Sequence, residues 1–183
     1  MSGLFVAIVG PSGAGKDSLI RALSLRFGDD PDFLAMKRVV TRAADAHEDH
    51  HSLNGEAFEA WARAGRFALT WQAHGLSYGV PAEVDDALAA GKTVLCNLSR
   101  AAVALARQRW GRVFAVQVTA RPETLALRLA ARGREKVWEQ QDRIRRVADS
   151  TFEPDALIEN DGDLAEAADR LFSLIEERST VPT

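Results

Sequence analysis

The chain has 183 residues, of which 46% are apolar and 27% are charged, and its formal net charge is −3. This length and composition are typical of one globular domain with a substantial core. The slight negative charge argues against general binding to nucleic acids and to anionic membranes, which attract basic proteins. The single cysteine, Cys96, excludes an intramolecular disulfide. It fits a reducing compartment, so we expect a cytoplasmic protein in which Cys96 is a packed core thiol.

The first predicted element is a strand over Leu4–Val9, a continuous apolar run typical of a strand buried on both faces. It is followed directly by residues 10–18, which read GPSGAGKDS, and by a helix predicted over residues 17–27. Glycines let successive backbone N–H groups curl around an anionic oxygen, and the helix N-terminus adds the positive end of its dipole. A glycine-rich turn without a ligand is the alternative, but the strand, the helix and the lysine together favour nucleotide binding. The predicted phosphate-binding residues are Gly10, Pro11, Ser12, Gly13, Ala14, Gly15, Lys16, Asp17 and Ser18.

Two residues of this loop carry more specific predictions. Lys16 supplies a mobile positive charge for the β- and γ-phosphates, so we expect it to be catalytic. The next position usually holds a Ser or Thr that binds Mg²⁺, but here it is Asp17, and the hydroxyl follows at Ser18. We expect Asp17 and Ser18 to be the magnesium ligands, because Mg²⁺ prefers hard oxygen donors. The alternative for Asp17 is a favourable charge in the first turn of a helix.

The remaining predicted elements alternate between strands and helices, which implies a mostly parallel sheet with helices on both faces. We expect a single domain over residues 1–183, with a core at about 1–50 and 81–183 and an inserted substrate lobe at about 51–80. Further strands are predicted at 35–40, 67–73, 93–98, 113–119 and 156–159. Further helices are predicted at 54–64, from Pro81 to Gly91, and at 100–110, 122–132, 139–150 and 164–177.

Candidate acceptor residues follow the strands predicted at 35–40 and at 67–73. Arg42 lies at a strand end, where doubly wound folds place their ligands, and can grip an anion. Tyr78 can donate its phenol to a phosphate, although a half-buried hairpin aromatic is an equal alternative. Residues 47–51 read HEDHH, a spacing that matches no structural zinc pattern. We interpret them as a polar loop at the acceptor site, with Glu48 accepting from a hydroxyl or from a magnesium-bound water.

A charged segment after the fifth helix predicts a lid at about residues 132–143. Arg132 lies four residues after Arg128 and directly before Gly133, where the helix breaks, and Arg143 lies on the next helix. Arginines that close over a transferring phosphoryl group would exclude water and stabilise its charge, so Arg132 and Arg143 are candidate catalytic residues. The alternative is solvated charge on amphipathic helices.

These motifs, in this order along nearly the whole chain, resemble the guanylate kinase superfamily of nucleoside monophosphate kinases. Three positions depart from that pattern. The second acceptor arginine is replaced by Asp45, the hydroxyl residue after Tyr-Gly by Val80, and the acidic residue ending the middle strand by Ser99. A guanine site built on hydrogen bonds would lack several of its partners.

Within that superfamily the chain more closely resembles the bacterial ribose 1,5-bisphosphate phosphokinases of phosphonate breakdown. The resembling motifs are GKDS, TR at 41–42, EDH at 48–50, HGLSYGV at 74–80 and NLSR at 97–100. The resemblance implies a P-loop NTPase α/β fold, with a mostly parallel sheet flanked by helices, a substrate lobe and a helical lid. It implies that ATP, with Mg²⁺, phosphorylates ribose 1,5-bisphosphate at its 1-phosphate, giving 5-phosphoribosyl 1-diphosphate (PRPP) and ADP. The residues it implies for the acceptor are Arg42, Glu48, Tyr78 and Ser99, and those for the adenine are Asn160 and Asp161.

Two other functions stay open from the sequence. One is a guanylate kinase or another nucleoside monophosphate kinase. The other is a guanylate-kinase-like module that binds peptides without catalysis, although such modules typically degrade the phosphate loop and this loop is intact. The oligomeric state also stays open, with a homodimer as one alternative to a monomer.

Overall fold

The computed structural model describes residues 3–43, 50–73, 75–131 and 152–180. Strands and helices alternate through most of these ranges, as the apolar runs predict. The strands are β1 (Leu4–Val9), β2 (Phe33–Met36), β3 (Val39–Val40), β4 (His51–Ser52), β5 (Phe67–Ala73), β6 (Leu76–Pro81), β7 (Thr93–Asn97), β8 (Val113–Thr119) and β9 (Ala156–Glu159). The helices are α1 (Lys16–Phe27), α2 (Gly55–Arg63), α3 (Glu83–Ala89), α4 (Arg100–Arg109), α5 (Pro122–Ala130) and α6 (Leu164–Thr180). The helix predicted at 139–150 and the lid predicted at 132–143 lie outside the described residues.

The main sheet has five parallel strands in the order β2-β7-β1-β8-β9. Every residue of the central strand β1 is buried, and alternate residues enter two hydrophobic cores. Phe5 and Val9 pack on one side with α3 and α4, while Val6 and Ile8 pack on the other with α1 and α6. Because all five strands are parallel, their carboxyl ends meet at one edge, which is where such folds bind ligands.

A second sheet of four strands, in the order β4-β3-β6-β5, forms a lobe beside that edge. The prediction of one strand over residues 35–40 is wrong. Phe33–Met36 pairs with β7 in the main sheet, whereas Val39 and Val40 pair with β6 in the lobe. The polar pair Lys37-Arg38 separates these two strands, and this interruption of the apolar run is the physical reason for the break. The chain thus crosses between the two sheets over two residues.

Of two helix starts predicted from local residues, the one at Asn54 is confirmed and the one at Pro81 is wrong. Asn54 caps α2 as expected, since its side chain accepts a hydrogen bond of 2.8 Å from the backbone N–H of Ala57. Pro81 does not lie in the first turn of a helix. It is the last residue of β6, opposite Phe67, and α3 begins at Glu83. A proline, which has no backbone N–H, is tolerated there because the last residue of a strand need not donate a hydrogen bond to the neighbouring strand.

A membrane span would require a long and continuously apolar helix. No helix within the described ranges is both long and apolar enough to cross a bilayer.

Candidate active site

The phosphate loop connects the carboxyl end of β1 to the N-terminus of α1. Gly10, Gly13 and Gly15 have positive φ angles of 146°, 85° and 90°. A Cβ atom on Gly10 would lie 2.0 Å from the carbonyl oxygen of Val118 in β8, so a side chain would push the loop off the sheet. Gly15 is the N-cap of α1 and offers no side-chain cap. The first N–H groups of α1 are therefore left for an anion, as a phosphate site requires.

Lys16 is folded over the loop. Its Nζ donates to the carbonyl oxygens of Gly10 and Pro11, at 2.9 Å each. These neutral acceptors hold the ammonium above the loop that would cradle a phosphate. A phosphate oxygen is a stronger partner for the ammonium, because a hydrogen bond between two charged groups is about twice as strong as a neutral one. Lys16 is thus positioned to exchange carbonyl contacts for phosphate contacts.

Beside the loop lies a cavity of about 380 Å³. Asn160, which follows β9 and is 3% exposed, closes one side of it. Its Nδ2 donates to the carbonyl oxygen of Ala14 at 2.8 Å, and its Oδ1 is buried without a hydrogen-bond partner among the described residues. A buried acceptor of this kind is rare and is satisfied when a ligand supplies an N–H or O–H. The lining residues are Gly13, Gly15, Ser18, Arg128, Ala131, Asn160, Gly162 and Leu164.

Arg128 brings a cation to the same cavity. Its Nη1 donates to the carbonyl oxygen of Gly13 over 3.4 Å. The sequence singles out this residue only as the helix neighbour of Arg132, and that four-residue spacing is the signal that could have found it. Arg132, Arg143 and Glu48 lie outside the described residues, so their predicted roles stay predictions.

Asp17 is linked across the site through Asn97, the last residue of β7. Asn97 Nδ2 donates to Asp17 Oδ1 at 2.9 Å, and Asn97 Oδ1 accepts from Arg38 Nη1 at 3.3 Å. We call this chain of hydrogen bonds the Arg38–Asn97–Asp17 link. It joins the lobe to the phosphate loop, and the sequence assigns no role to Arg38 or Asn97. A polar residue ending an otherwise buried strand is the signal that could have pointed to Asn97.

Cys96 lies beside this link. Burial raises the pKa of its thiol to about 12, and the charges of Arg38 and Asp17 lower and raise that pKa respectively. A thiol with so high a pKa stays protonated near neutral pH and is a poor nucleophile. The thiol is buried, as expected.

Tyr78 lies in the core of the lobe and is 9% exposed. It stands opposite Val40 on one side and Trp71 on the other. The Trp71 and Tyr78 rings are stacked, with centroids 5.2 Å apart, and the Arg38 guanidinium lies 5.5 Å from the Tyr78 centroid. The prediction that the Tyr78 phenol donates to a phosphate stays a prediction.

The other predicted acceptor residues lie at element ends around this core. Ser99 is the N-cap of α4, and its Oγ accepts from the N–H of Ala102 at 3.3 Å. Arg42 follows Thr41, whose Oγ1 accepts from the N–H of Ser77 at 2.8 Å. This contact fixes the chain where Arg42 leaves the lobe sheet.

The two candidate magnesium ligands lie in the first turn of α1. Asp17 faces Asn97, and Ser18 lines the cavity. A carboxylate and a hydroxyl are hard oxygen donors, which suits a cation that takes one or two protein ligands and shares the rest with phosphates and water. In the part of the chain that the structure describes, no three His, Cys, Asp or Glu side chains cluster as a metal site.

Curated relatives cover nearly the whole chain. The ribose 1,5-bisphosphate phosphokinase PhnN of Methylobacterium radiotolerans is 44% identical over 171 residues, which are 93% of this chain and 96% of that protein. The protein of the same name from Acidiphilium cryptum is 47% identical over 160 residues, 87% of this chain and 85% of its own. The chain belongs to the ribose 1,5-bisphosphate phosphokinase family. The family recognised from the phosphate loop and the acceptor motifs is thereby confirmed.

The fold of this family member is also confirmed by a solved structure. The crystal structure of guanylate kinase from Anaplasma phagocytophilum superimposes with a TM-score of 0.71, over 98% of this chain and 88% of that chain, at 20% identity. Both chains share a guanylate kinase-like α/β fold with a mostly parallel central sheet flanked by helices. No protein-family model matches the chain.

Proposed function

We propose that this chain transfers the γ-phosphoryl group of ATP to the 1-phosphate of ribose 1,5-bisphosphate, giving PRPP and ADP. The observation that carries the proposal is an intact phosphate loop in a chain 44% identical, over 93% of its length, to a protein named for this activity. The resemblance to the ribose 1,5-bisphosphate phosphokinases of phosphonate breakdown supports a role for the reaction in that pathway. Because ATP is its donor, we place the enzyme in the cytoplasm.

The donor end of the site is built from the loop and the adjoining cavity. Backbone N–H groups of residues 12–16 hold the β-phosphate, while Lys16 follows the γ-phosphate. Arg128 contacts the loop at Gly13 and adds positive charge on the cavity side. Asn160 Oδ1 accepts a hydrogen bond from the base, which satisfies its buried oxygen.

Asp17 and Ser18 would hold the Mg²⁺ ion, directly or through water. When bound, this ion would neutralise part of the negative charge of the triphosphate. The hydrogen bond from Asn97 orients the Asp17 carboxylate before any ligand arrives. Ser18 faces the cavity in which the nucleotide binds.

The transfer requires alignment and charge neutralisation rather than a strong base. The attacking atom is a phosphate oxygen that is already anionic near neutral pH, so no proton has to be removed. A bond forms between this oxygen and Pγ while the bond from Pγ to the β–γ bridging oxygen breaks, and its electron pair leaves with ADP. Arg42, Glu48, Tyr78 and Ser99 would position the acceptor. Arg132 and Arg143 would close over the transferring group and exclude water.

A coupled assay of ADP release tests the proposal directly. Purified protein with ATP and Mg²⁺ is offered ribose 1,5-bisphosphate or GMP at matched concentrations, and the product is identified by phosphorus NMR. We expect ADP and PRPP with the sugar bisphosphate, and little turnover of GMP, because Asp45, Val80 and Ser99 replace groups that bind guanine nucleotides. Strong GMP turnover with none of the sugar bisphosphate would reject the proposal. Absence of ATP binding in calorimetry would favour a non-catalytic module.

A further inference from the structure

One face of the lobe sheet carries an aromatic row and an arginine. Residues directly opposite each other on paired strands share a face, which puts Val40, Tyr78 and Trp71 in one row. Arg38 precedes Val40 by two positions and so falls on the same face. The position of its guanidinium over the Tyr78 ring agrees with this placement.

At its Arg38 end, this face reaches the carboxyl edge of the main sheet, close to the phosphate loop. Val40, Trp71 and Tyr78 belong to the same core cluster as Leu98, which follows β7. Arg38 reaches Asn97 at the end of β7, and Asn97 reaches Asp17 in α1. The arginine therefore lies between the lobe and the phosphate loop, in the space where an acceptor must meet the donor.

The orientation of Asn97 fits a fixed connector. Asn97 is 5% exposed. Its amide oxygen accepts from the Arg38 guanidinium, and its amide nitrogen donates to the Asp17 carboxylate. The reversed amide would point its N–H₂ at a guanidinium and its oxygen at a carboxylate, which gives no hydrogen bond on either side. Its neutral amide thus joins two opposite charges without cancelling either of them.

The indole N–H of Trp71 on this face lacks a hydrogen-bond partner among the described residues. Trp71 is 8% exposed, and its Nε1 is buried without a hydrogen-bond partner among the residues that the structure describes. Buried indole N–H groups usually find an acceptor. An oxygen from a bound ligand would supply one.

We propose that Arg38 binds a phosphate group of the acceptor, and that Asn97 is the positioning residue that ties this arginine to Asp17 at the phosphate loop. The inference rests on the proposed function for the identity of the acceptor. A sugar bisphosphate carries two phosphates, and the planar fork of a guanidinium matches two phosphate oxygens at once. The cation–aromatic contact with Tyr78, 5.5 Å from the ring centroid, helps to hold that fork in position. The Arg38–Asn97–Asp17 link then couples acceptor binding to the donor side of the cleft.

The first experiment compares Arg38→Met with Arg66→Met. Arg66 is an exposed arginine of the same lobe that stacks on Trp61 at 5.2 Å, so it controls for losing a cation–aromatic contact. We expect Arg38→Met to raise KM for ribose 1,5-bisphosphate by about 10- to 100-fold, as for loss of a charged hydrogen bond. Its Kd for ATP, measured by calorimetry, stays at the wild-type value. Arg66→Met leaves both constants unchanged.

Arg38→Lys keeps the charge and loses the fork, so we expect a KM between those of the wild type and of Arg38→Met. An ATP Kd within about twofold of wild type indicates that each variant is folded, since a twofold change is well under 1 kcal/mol. An unchanged acceptor KM in a folded Arg38→Met variant would overturn the assignment. If Arg38→Met does not fold, the acceptor KM of Arg38→Lys decides in its place, and a wild-type value there overturns the assignment equally.

The positioning role of Asn97 is tested by Asn97→Leu and by its combination with Arg38→Met. We expect Asn97→Leu to raise both the acceptor KM and the Mg²⁺ concentration for half-maximal rate, because it releases both ends of the link. The double variant should lose less than the product of the two single effects, since the residues act together. Fully multiplicative effects, or a loss of kcat alone, would show that Asn97 is only structural.

Wild-type turnover is measured first, which separates the two possible failures. Wild-type protein that does not convert ribose 1,5-bisphosphate contradicts the proposed function. Wild-type protein that converts it, with Arg38→Met binding it equally well, contradicts this inference alone.

Discussion

The side-chain nitrogen of Asn160 donates to the backbone carbonyl of Ala14 across 2.8 Å, which ties the segment after β9 to the phosphate loop. The approach is close enough that a Cβ atom on Gly15 would lie 2.3 Å from this nitrogen. The amide oxygen is thereby left on the other side, buried and without a partner among the described residues. One asparagine thus both braces the loop and leaves an unpaired acceptor at the cavity beside it.

Replacing Asn160 by Leu should weaken ATP binding. The substitution removes the brace and leaves the Ala14 carbonyl unsatisfied, which costs about 1 to 3 kcal/mol, or about 5- to 160-fold in Kd. Isothermal calorimetry with ATP measures the change. Asn54→Ala is the matched control, because it removes an asparagine cap from α2 in the lobe. It should lower the unfolding temperature while ATP affinity stays the same. Equal ATP affinity in Asn160→Leu and wild type would contradict this role.

Gly15→Ala should abolish ATP binding for a steric reason. The added Cβ would collide with Asn160 and would sit on a backbone with φ of +90°. Gly28→Ala is the control, since Gly28 also has positive φ but has open space around it. We expect Gly28→Ala to lower stability slightly and to bind ATP normally. A Gly15→Ala protein with wild-type affinity would show that the loop relaxes around the methyl group.

Lys16→Ala should reduce kcat by about 10³-fold or more, because the γ-phosphoryl group loses its mobile positive charge. Steady-state kinetics with saturating substrates measure this loss, and thermal unfolding verifies that the fold is kept. Lys92→Ala, at a lysine remote from the loop, serves as the control. Turnover near the wild-type rate would remove Lys16 from the catalytic residues.

Asp17→Asn should shift the magnesium dependence of turnover to higher Mg²⁺ concentrations. The amide keeps an oxygen that can accept from Asn97, so the contact of 2.9 Å can persist while the charge is lost. A hard cation loses affinity when a carboxylate ligand becomes neutral. Rates measured across a magnesium titration provide the check. An unchanged titration would leave Asp17 with the role of a favourable charge at the helix N-terminus.

Asp85 predicts a pH dependence of stability away from the site. Hydrogen bonds from Arg109, together with one from Trp110 Nε1 at 2.8 Å, lower the pKa of this carboxyl. A lowered pKa stabilises the fold above the unfolded pKa of about 3.9, and this contribution is lost as pH falls through the folded pKa. Asp85→Asn should therefore lower the unfolding temperature near pH 7. The free energy of unfolding should fall by only about 1 kcal/mol, because the pair of Asp85 and Arg109 is partly exposed.

Unfolding curves from pH 7 down to about pH 3 measure this effect, since that range spans the unfolded pKa. The difference between wild type and Asp85→Asn should shrink towards the acid end. Asp86→Asn, at the exposed neighbouring position, should show no such trend. A difference that is constant with pH would mean that the carboxylate charge contributes nothing.

Local features of this chain are readable from its sequence, and long-range contacts are not. The phosphate loop depends on glycines and a helix start within residues 10–18, and the structure has both as predicted. The family and the fold class follow from motifs of this kind. The Arg38–Asn97–Asp17 link joins residues 59 and 80 positions apart, and no local pattern encodes such a meeting.

The break between β2 and β3 shows the same limit at the level of strands. The polar pair Lys37-Arg38 interrupts residues 35–40, but no local pattern shows that one half pairs with β7 in the main sheet and the other with β6 in the lobe. Pairing partners are set by the tertiary fold, which overrides local propensity. The roles of Glu48, Arg132 and Arg143 stay predictions.

The short crossing between β2 and β3 has a mechanical consequence. Lys37 and Arg38 are its only residues, and the chain returns from the lobe at Pro81, just before α3. Two residues span only a short distance, so the end of β2 and the start of β3 must stay close together and the lobe sheet is tethered to the main sheet at this point. Arg38 is one of the two tether residues, and it is therefore held near the carboxyl end of β7, where it donates to Asn97.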